Sequence, residues 1–131
     1  AQVADITEFN EQEQPGDRLE RRLLVIDEFQ DLIGERDSAN TFFAGIKRLG
    51  AKARAAGIHM VLATQRPDKD TVPPIIKANL SGKIALQVST KTNSRIVIDT
   101  GGAEALHGKG DLLASLGRGV IRAQAALLSE H

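Results

Sequence analysis

The sequence has no cysteine among its 131 residues. Disulfide bonds, thiolate chemistry and cysteine-ligated zinc are therefore excluded. No apolar run approaches the ~20 residues that a membrane-spanning helix needs, and no signal peptide opens the chain. With 41% hydrophobic and 26% charged residues, the composition is typical of a globular protein of one domain. We therefore expect a cytoplasmic setting.

The formal net charge is zero, but bases are scarce in the first third of the chain and acids are scarce in the middle. Residues 1–46 carry eleven acids against four bases, whereas residues 47–95 carry ten Lys or Arg against two acids. A basic middle segment is typical of a surface that binds the phosphates of a nucleotide or a nucleic acid. A face of solvated lysines is the alternative explanation.

The most informative segment is Leu23–Glu28, in which four apolar residues precede two carboxylates. The unbroken apolar run predicts a strand that is buried on both faces of a parallel sheet. Because ligands bind beyond the carboxyl ends of such strands, Asp27 is placed to hold a hydrated Mg²⁺ and Glu28 to orient an attacking water. This is the Walker B pattern of P-loop ATPases, although a strand that ends in a solvated turn has the same appearance.

A second buried strand is predicted over Ile58–Thr64, directly before Gln65. An amphipathic helix over about residues 39–56, capped by Asp37 or Ser38 and stopped by Gly57, joins the two strands. The crossover makes a βαβ unit, which places both acids and Gln65 at the same edge of the sheet. A neutral Gln there can hydrogen-bond a γ-phosphate and an attacking water.

The remaining predicted elements are described by their secondary structure alone. Residues 1–22 predict the tail of a helix and a turn that lead into the core. A short helical turn or loop follows at residues 29–34, and a proline-marked loop at residues 66–74. Later elements are a segment over 75–80, a half-buried strand over 83–89 with apolar residues 84, 86 and 88 inward, a helix over about 92–100, and two antiparallel strands over 111–115 and 120–128.

The segment Leu23–Glu28 together with Lys52–Pro67 strongly resembles the motor domain of the FtsK/SpoIIIE family of double-stranded DNA translocases. The resemblance covers about residues 23–122 and continues through Ile76–Leu80, Ser94-Arg95, Ile98-Asp99, Gly102–Leu106 and Gly108–Leu113. It implies an α/β fold, a RecA-like P-loop ATPase core with a mostly parallel sheet flanked by helices. Residues 23–131 correspond to the C-terminal half of that core.

The resemblance also implies ATP and Mg²⁺ as cofactors and a homo-hexameric ring that threads duplex DNA, with nucleotide sites at subunit interfaces. Asp27 and Glu28 match the Walker B acids, with Asp27 as the metal ligand. Gln65 matches the polar sensor of the neighbouring strand. Arg95 falls where the family carries an arginine that reaches the nucleotide of the adjacent subunit.

Two loops correspond to family loops that face the DNA channel. Their candidate phosphate contacts are Arg66, Lys69, His107 and Lys109. Contacts to phosphates carry no sequence information, which suits a motor that moves along any sequence. Two acids, Asp68 and Asp70, flank the lysine of the first loop and weaken its field.

The chain departs from the family in one respect, because no Gly-x-x-x-x-Gly-Lys-Ser/Thr occurs in it. The nearest pattern, Gly45-x-x-x-x-Gly50, lacks the Lys and the hydroxyl. Three explanations are open: a fragment of a larger motor, a subunit completed by another chain, or a degenerate domain. The intact catalytic set favours the first, with the P-loop segment supplied by the same or another chain. We then expect the isolated chain to be inactive as an ATPase.

Two alternatives to a DNA translocase motor are kept open. One is a non-catalytic or partner-completed assembly module of a secretion or conjugation ATPase, which shares the fold. The other is a metal-dependent nuclease that uses Asp27, Glu28 and Asp31, although these acids come from one short segment. The family's N-terminal membrane region and C-terminal winged-helix reader have no counterpart among these residues, so membrane anchoring of a longer polypeptide is left open.

Overall fold

The computed structural model describes residues 4–127, apart from the side chain of Ala51. Helices and strands alternate as far as β4, which β5 follows directly, and the chain divides into two units, up to Arg66 and from Pro67 onward. None of the helices in the described range is long and apolar enough to cross a membrane. The elements are α1 (Ile6–Gln12), β1 (Arg22–Ile26), a 3-10 helix (Phe29–Ile33), α2 (Arg36–Lys52), β2 (Ile58–Leu62), α3 (Pro74–Asn79), β3 (Lys83–Ala85), α4 (Lys91–Ile98), a second 3-10 helix (Ala103–Ala105), β4 (Asp111–Ser115) and β5 (Val120–Gln124).

The first unit is the predicted βαβ arrangement. Strands β1 and β2 pair in parallel, with Leu24 opposite Met60, and α2 forms the crossover between them. Helix α1 is capped by the carboxylate of Asp5, which accepts the N–H groups of Thr7 and Glu8. The N–H of Ile6 donates to the carbonyl of Ala55 at 2.7 Å, so α1 is anchored beside the end of the crossover.

Helix α2 lies about three to four residues nearer the N-terminus than the pattern predicted. It begins at Arg36 and ends at Lys52, and its N-cap is Glu35, which makes no side-chain capping bond. The early end follows from the tight turn before β2, in which the N–H of Ile58 donates to the carbonyl of Ala53 at 2.8 Å. Gly57 has φ +71° in that turn, a conformation that glycine adopts without steric cost.

The apolar face of α2 packs as its spacing predicted. Ile46 of α2 and Ala53, which directly follows the helix, are buried. Phe42 stacks on Phe29 of the first 3-10 helix, with ring centroids 5.8 Å apart and planes 8° from parallel. Phe29 is only 2% exposed, so this stacked pair is the centre of the small core of the first unit.

The predicted burial of β1 on both faces is wrong for this chain. Leu23 is 66% exposed and Val25 58% exposed. A parallel strand is buried on both faces only where helices or a second sheet cover both of them. Here α2 packs against the 3-10 helix, and the described residues leave the β1 side chains open to solvent.

The second unit is a three-stranded antiparallel sheet in the order β3-β4-β5, with α4 against it. The antiparallel pairing of β4 and β5 confirms the prediction for these strands. Strand β5 ends at Gln124, and Leu128 of the predicted strand lies outside the described residues. A compact core is formed by Ala85, Ile98, Ala103 and Leu106, against which Val88, Val97 and Leu113 pack.

The predicted inward face of β3 is reversed. Ile84 is 61% exposed and Leu86 55% exposed, whereas Ala85 between them is 3% exposed. The strand also ends at Ala85 instead of reaching Ser89. Because side chains alternate across a strand, packing of the small Ala85 against the core turns the larger Ile84 outward.

Candidate functional site

The carboxyl ends of the two parallel strands are joined by backbone hydrogen bonds. The N–H of Ala63 donates to the carbonyl of Ile26 at 2.9 Å, and the N–H of Phe29 donates to the carbonyl of Ala63 at 3.2 Å. Asp27 and Glu28 leave β1 at this edge, and the N–H of Gln65 reaches a Glu28 carboxylate oxygen at 3.3 Å. The three residues that the sequence predicted at one edge are therefore close together in the structure.

Glu28 occupies an unusual backbone conformation for a residue that is not glycine. Its φ and ψ are 47° and 45°, in the left-handed region. Such conformations cost of the order of 1–3 kcal/mol and cluster at active sites. The bend ends β1 and starts the 3-10 helix, so that the Glu28 carboxylate faces the end of β2 instead of continuing along the strand.

Two amides hold the Glu28 carboxylate. The Gln30 side-chain amide donates to Oε2 of Glu28, and the backbone N–H of Gln65 donates to the same oxygen. These contacts lower the pKa of Glu28, with the Gln30 hydrogen bond as the largest cause, followed by the Gln65 backbone and side chain and the charge of Arg66. Glu28 is therefore a carboxylate at neutral pH, which is the form that can orient a water or accept its proton.

Asp27 is exposed at the end of β1. Its Oδ1 accepts the N–H of Glu28 at 2.9 Å, which fixes the direction of the side chain. Mg²⁺ in nucleotide sites is usually held by one or two carboxylates together with substrate phosphates and waters. A single oriented carboxylate at this edge fits that role.

Sequence reasoning missed two side chains of this site, Gln30 and Thr64. The Thr64 hydroxyl donates to Oε1 of Gln30 at 2.5 Å and accepts the N–H of Arg66 at 3.0 Å. Both residues are half-buried. The signal in the sequence was slight: a polar residue within the short segment after the acids, and a hydroxyl directly before the sensor glutamine.

The loop that begins the second unit is held by one carboxylate. Oδ1 of Asp68 accepts the N–H groups of Asp70 at 3.0 Å and Thr71 at 2.7 Å, and Thr71 is buried. Lys69 is exposed at the tip of this turn. Asp68 thus shapes the loop in addition to offsetting the charge of Lys69.

The second candidate loop contains three consecutive residues with positive φ. Lys109 has φ 52° and lies between Gly108 and Gly110, with φ of 73° and 89°. The N–H of His107 donates to Oδ2 of the buried Asp111 at 2.8 Å. The His107 and Lys109 side chains themselves are exposed.

Asp111 is fixed in turn by Arg122, which donates to both of its carboxylate oxygens at 2.9 and 2.6 Å. The pair holds the pKa of Asp111 well below its ordinary value, with the Arg122 hydrogen bonds as the main cause and the His107 N–H next. The sequence predicted the lysine of this loop but not the ion pair that supports it. A bidentate pair has the geometry to hold the loop in one conformation.

Arg95 is exposed on α4, next to Ser94, which is fully buried. The Ser94 hydroxyl donates to the carbonyl of Thr100 at 2.7 Å and accepts the N–H of Ala103 at 3.1 Å. The helix that carries Arg95 is therefore tied to the core of the second unit. Of the predicted site residues, Asp27, Glu28, Gln65 and Arg66 lie in the first unit, and Lys69, Arg95, His107 and Lys109 lie in the second.

The chain is similar to known proteins both in sequence and in fold. The chain matches the model of the FtsK/SpoIIIE family over residues 9–69. It is 42% identical over 119 residues to the DNA translocase FtsK of Haemophilus ducreyi, and 44% identical over 114 residues to the DNA translocase SftA of Bacillus subtilis. These alignments cover 89% and 85% of the chain. The chain belongs to the FtsK/SpoIIIE family.

The chain spans only 12% of the length of each of these FtsK/SpoIIIE relatives. Its fold also resembles that of the conjugation coupling protein TcpA of pCW3, solved as a monomer with ATPγS. The TM-score is 0.78 at 26% identity, over 92% of this chain and 36% of TcpA. The α/β P-loop ATPase fold that the sequence resemblance implied is thereby confirmed.

Proposed function

We propose that this chain is part of an ATP-driven motor that moves double-stranded DNA. The observation that carries the proposal is the meeting of Asp27, Glu28 and Gln65 at one sheet edge, in a chain of the FtsK/SpoIIIE family. Relatives that carry the name DNA translocase align over most of its length. Acids at this edge are where a nucleotide site of a P-loop fold is expected.

Each residue of the edge has a distinct task in this proposal. Asp27 would hold Mg²⁺, which when bound neutralises charge on the nucleotide phosphates. Glu28, ionised and fixed by two amides, orients the attacking water. The exposed Gln65 side chain contacts the γ-phosphate, so that its position depends on whether ATP or ADP is bound.

A complete nucleotide site needs phosphate-binding groups that these residues do not contain, because the sequence has no Walker A motif. We infer that a P-loop from another segment of the polypeptide, or from another chain, supplies them. Arg95 then acts on the nucleotide of a neighbouring subunit in a hexameric ring. Arg95 lies on α4, whose position is fixed by the hydrogen bonds of the neighbouring Ser94 side chain, and this helix would hold the guanidinium in place.

The DNA contacts in the proposal are the exposed cations of the two loops: Arg66, Lys69, His107 and Lys109. The loop conformations are set by the Asp68 turn and by the Asp111–Arg122 pair, respectively. Rigid loops place cations against phosphates with less loss of conformational entropy. Removal of a cation that contacts a DNA phosphate weakens binding by about the same factor for every DNA sequence.

The competing function is an assembly module of a conjugation or secretion apparatus, which the likeness to TcpA favours. The two functions are separated by ATP hydrolysis of the complete polypeptide, measured with and without long duplex DNA. We expect strong stimulation by duplex. Absence of hydrolysis under both conditions, with assembly that does not depend on nucleotide, would favour the assembly module instead.

The Glu28→Gln variant tests the catalytic assignment. It keeps the side-chain size and removes the charge, so we expect ATP to bind while hydrolysis falls by a factor of about 100 or more. Glu35→Gln is the matched control, because Glu35 is exposed and makes no side-chain capping bond. Turnover by Glu28→Gln equal to that of the control would remove Glu28 from the mechanism.

A further inference from the structure

The hydrogen bonds around Glu28 form an uninterrupted series that starts at the backbone of Arg66. The Arg66 N–H donates to the Thr64 hydroxyl at 3.0 Å, that hydroxyl donates to Oε1 of Gln30, and the Gln30 amide donates to Oε2 of Glu28. All four residues belong to the first unit. The series therefore links the base of a candidate DNA loop to the candidate catalytic carboxylate.

The direction of this series is fixed by chemistry. A carboxylate only accepts hydrogen bonds, so the Gln30 amide must present its N–H₂ group to Glu28. Its carbonyl oxygen then faces Thr64, and the threonine hydroxyl has to donate to it. The remaining lone pairs of that hydroxyl are what accept the Arg66 N–H. Reversing the Gln30 amide would set two acceptors against each other at Glu28.

We propose that Thr64 and Gln30 are positioning residues that couple the segment following Arg66 to the orientation of Glu28. When DNA moves the backbone at Arg66, the Thr64 hydroxyl loses or regains a donor, and the hold of Gln30 on Glu28 changes with it. Glu28 has a left-handed backbone, which in a residue other than glycine persists only where the surrounding structure holds it, and the contacts of Gln30 and Gln65 to its carboxylate are part of those surroundings. The inference rests on the proposed function of the chain as a DNA-dependent ATPase.

The Thr64 pair of variants tests the coupling in the complete polypeptide. Thr64→Val keeps the shape and removes the hydroxyl, whereas Thr64→Ser keeps the hydroxyl. We measure kcat and KM for ATP with and without long duplex DNA. Thr64→Val removes both hydrogen bonds of the hydroxyl, of which the one to Gln30 reaches toward Glu28. We expect the ratio of DNA-stimulated to basal kcat to fall about threefold to tenfold, the range for loss of that one neutral hydrogen bond, with KM within about twofold of the unsubstituted protein.

Thr64→Ser should keep the stimulation ratio, and so should Thr41→Val, a control at an exposed threonine of α2. Gln30→Met is the second variant, which removes both amide contacts without removing bulk. Because one of those contacts is to a charged group, we expect its ratio to fall about tenfold or more.

One outcome would overturn only the coupling through Thr64 and Gln30, and another would overturn the proposed function as well. If Thr64→Val and Gln30→Met lower basal and stimulated rates by the same factor, or leave both unchanged, the relay is overturned while the translocase function stands. If the unsubstituted polypeptide shows no stimulation by duplex, the proposed function fails and the relay fails with it.

Discussion

The two units of the chain are stabilised by different kinds of contact. The second unit has a packed apolar core around Ala103 and Leu106 and contains the ion pairs Lys77–Asp99, Lys83–Asp99 and Asp111–Arg122. The first unit exposes side chains of β1, and its buried hydrophobic residues in the described range are Ile6, Phe29, Ile46 and Ala53. Its candidate catalytic groups are held by hydrogen bonds between strand ends rather than by a core. The unit with the more conventional core carries Arg95 and three of the four candidate DNA contacts, Lys69, His107 and Lys109.

This difference predicts how each unit responds to substitution. In the second unit, candidate residues such as Lys109 and Arg95 lie on exposed positions supported by buried polar groups beneath them. In the first unit, Glu28 is itself part of the network that holds it. Damage to the fold and damage to the site should therefore be separable in the second unit more readily than in the first.

The largest expected effect is that of Phe29→Ala in the first unit. Removing a ring that is 2% exposed and stacked on Phe42 should lower the free energy of unfolding by about 3–5 kcal/mol. Urea unfolding of the complete polypeptide, with hydrogen exchange of the β1 and β2 amides, measures it. Leu32→Ala, at a 49% exposed position of the same 3-10 helix, is the control. Equal losses in the two variants would mean that the stacked pair is not the centre of this unit.

Much of the first unit could be predicted because its signals are local. The apolar run before two carboxylates and the second run before Gln65 gave the parallel pair and the shared edge. What the sequence could not give was the left-handed turn at Glu28 and the positions of Gln30 and Thr64. Both depend on contact between segments that are more than thirty residues apart.

In the second unit the predicted inward face of β3 was wrong, because packing against the core decides which side chains are buried. The alternation in 84–88 favoured the large apolar residues as the inward face, yet the core accepts Ala85 because Ile98 and Leu106 fill the space. Pairing of β4 with β5 was predictable from the glycines between them. The Asp111–Arg122 pair was not, because its register is set only when the hairpin forms. The boundary of a leading segment at residue 22 and the roles of the site residues stay predictions.

The next largest effect is expected from Ser94→Ala in the second unit. The substitution leaves the carbonyl of Thr100 and the buried N–H of Ala103 without their partner. Such groups cost about 1–3 kcal/mol when unsatisfied, so unfolding should become easier by that amount. Thermal unfolding measures it, with Thr92→Ala at an exposed position of α4 as the control. A loss no larger than that of the control would show that water replaces the hydroxyl.

A smaller effect on stability is expected at acidic pH from the Asp111–Arg122 ion pair. The folded-state pKa of Asp111 lies below its unfolded value of about 3.9, so the pair contributes stability that is present above about pH 4 and lost as the pH falls below it. Arg122→Met should raise that pKa and reduce the difference in melting temperature between pH 7 and pH 3. The Arg122 side chain is 54% exposed, so solvent screening keeps the change below that of Ser94→Ala. An unchanged pH dependence would contradict this assignment.

The smallest effect is expected from Leu23→Ala in the first unit, and it tests the comparison itself when it is measured beside Leu106→Ala, a buried leucine of the second unit. Leu23 is 66% exposed on β1, so Leu23→Ala should cost no more than about 0.5–1 kcal/mol of unfolding free energy. Leu106 is 4% exposed, and Leu106→Ala should cost about 2–5 kcal/mol. Both are measured in the complete polypeptide by denaturant unfolding. If Leu23→Ala costs as much as Leu106→Ala, another part of the polypeptide covers β1, and the contrast between the two units belongs only to this stretch of sequence.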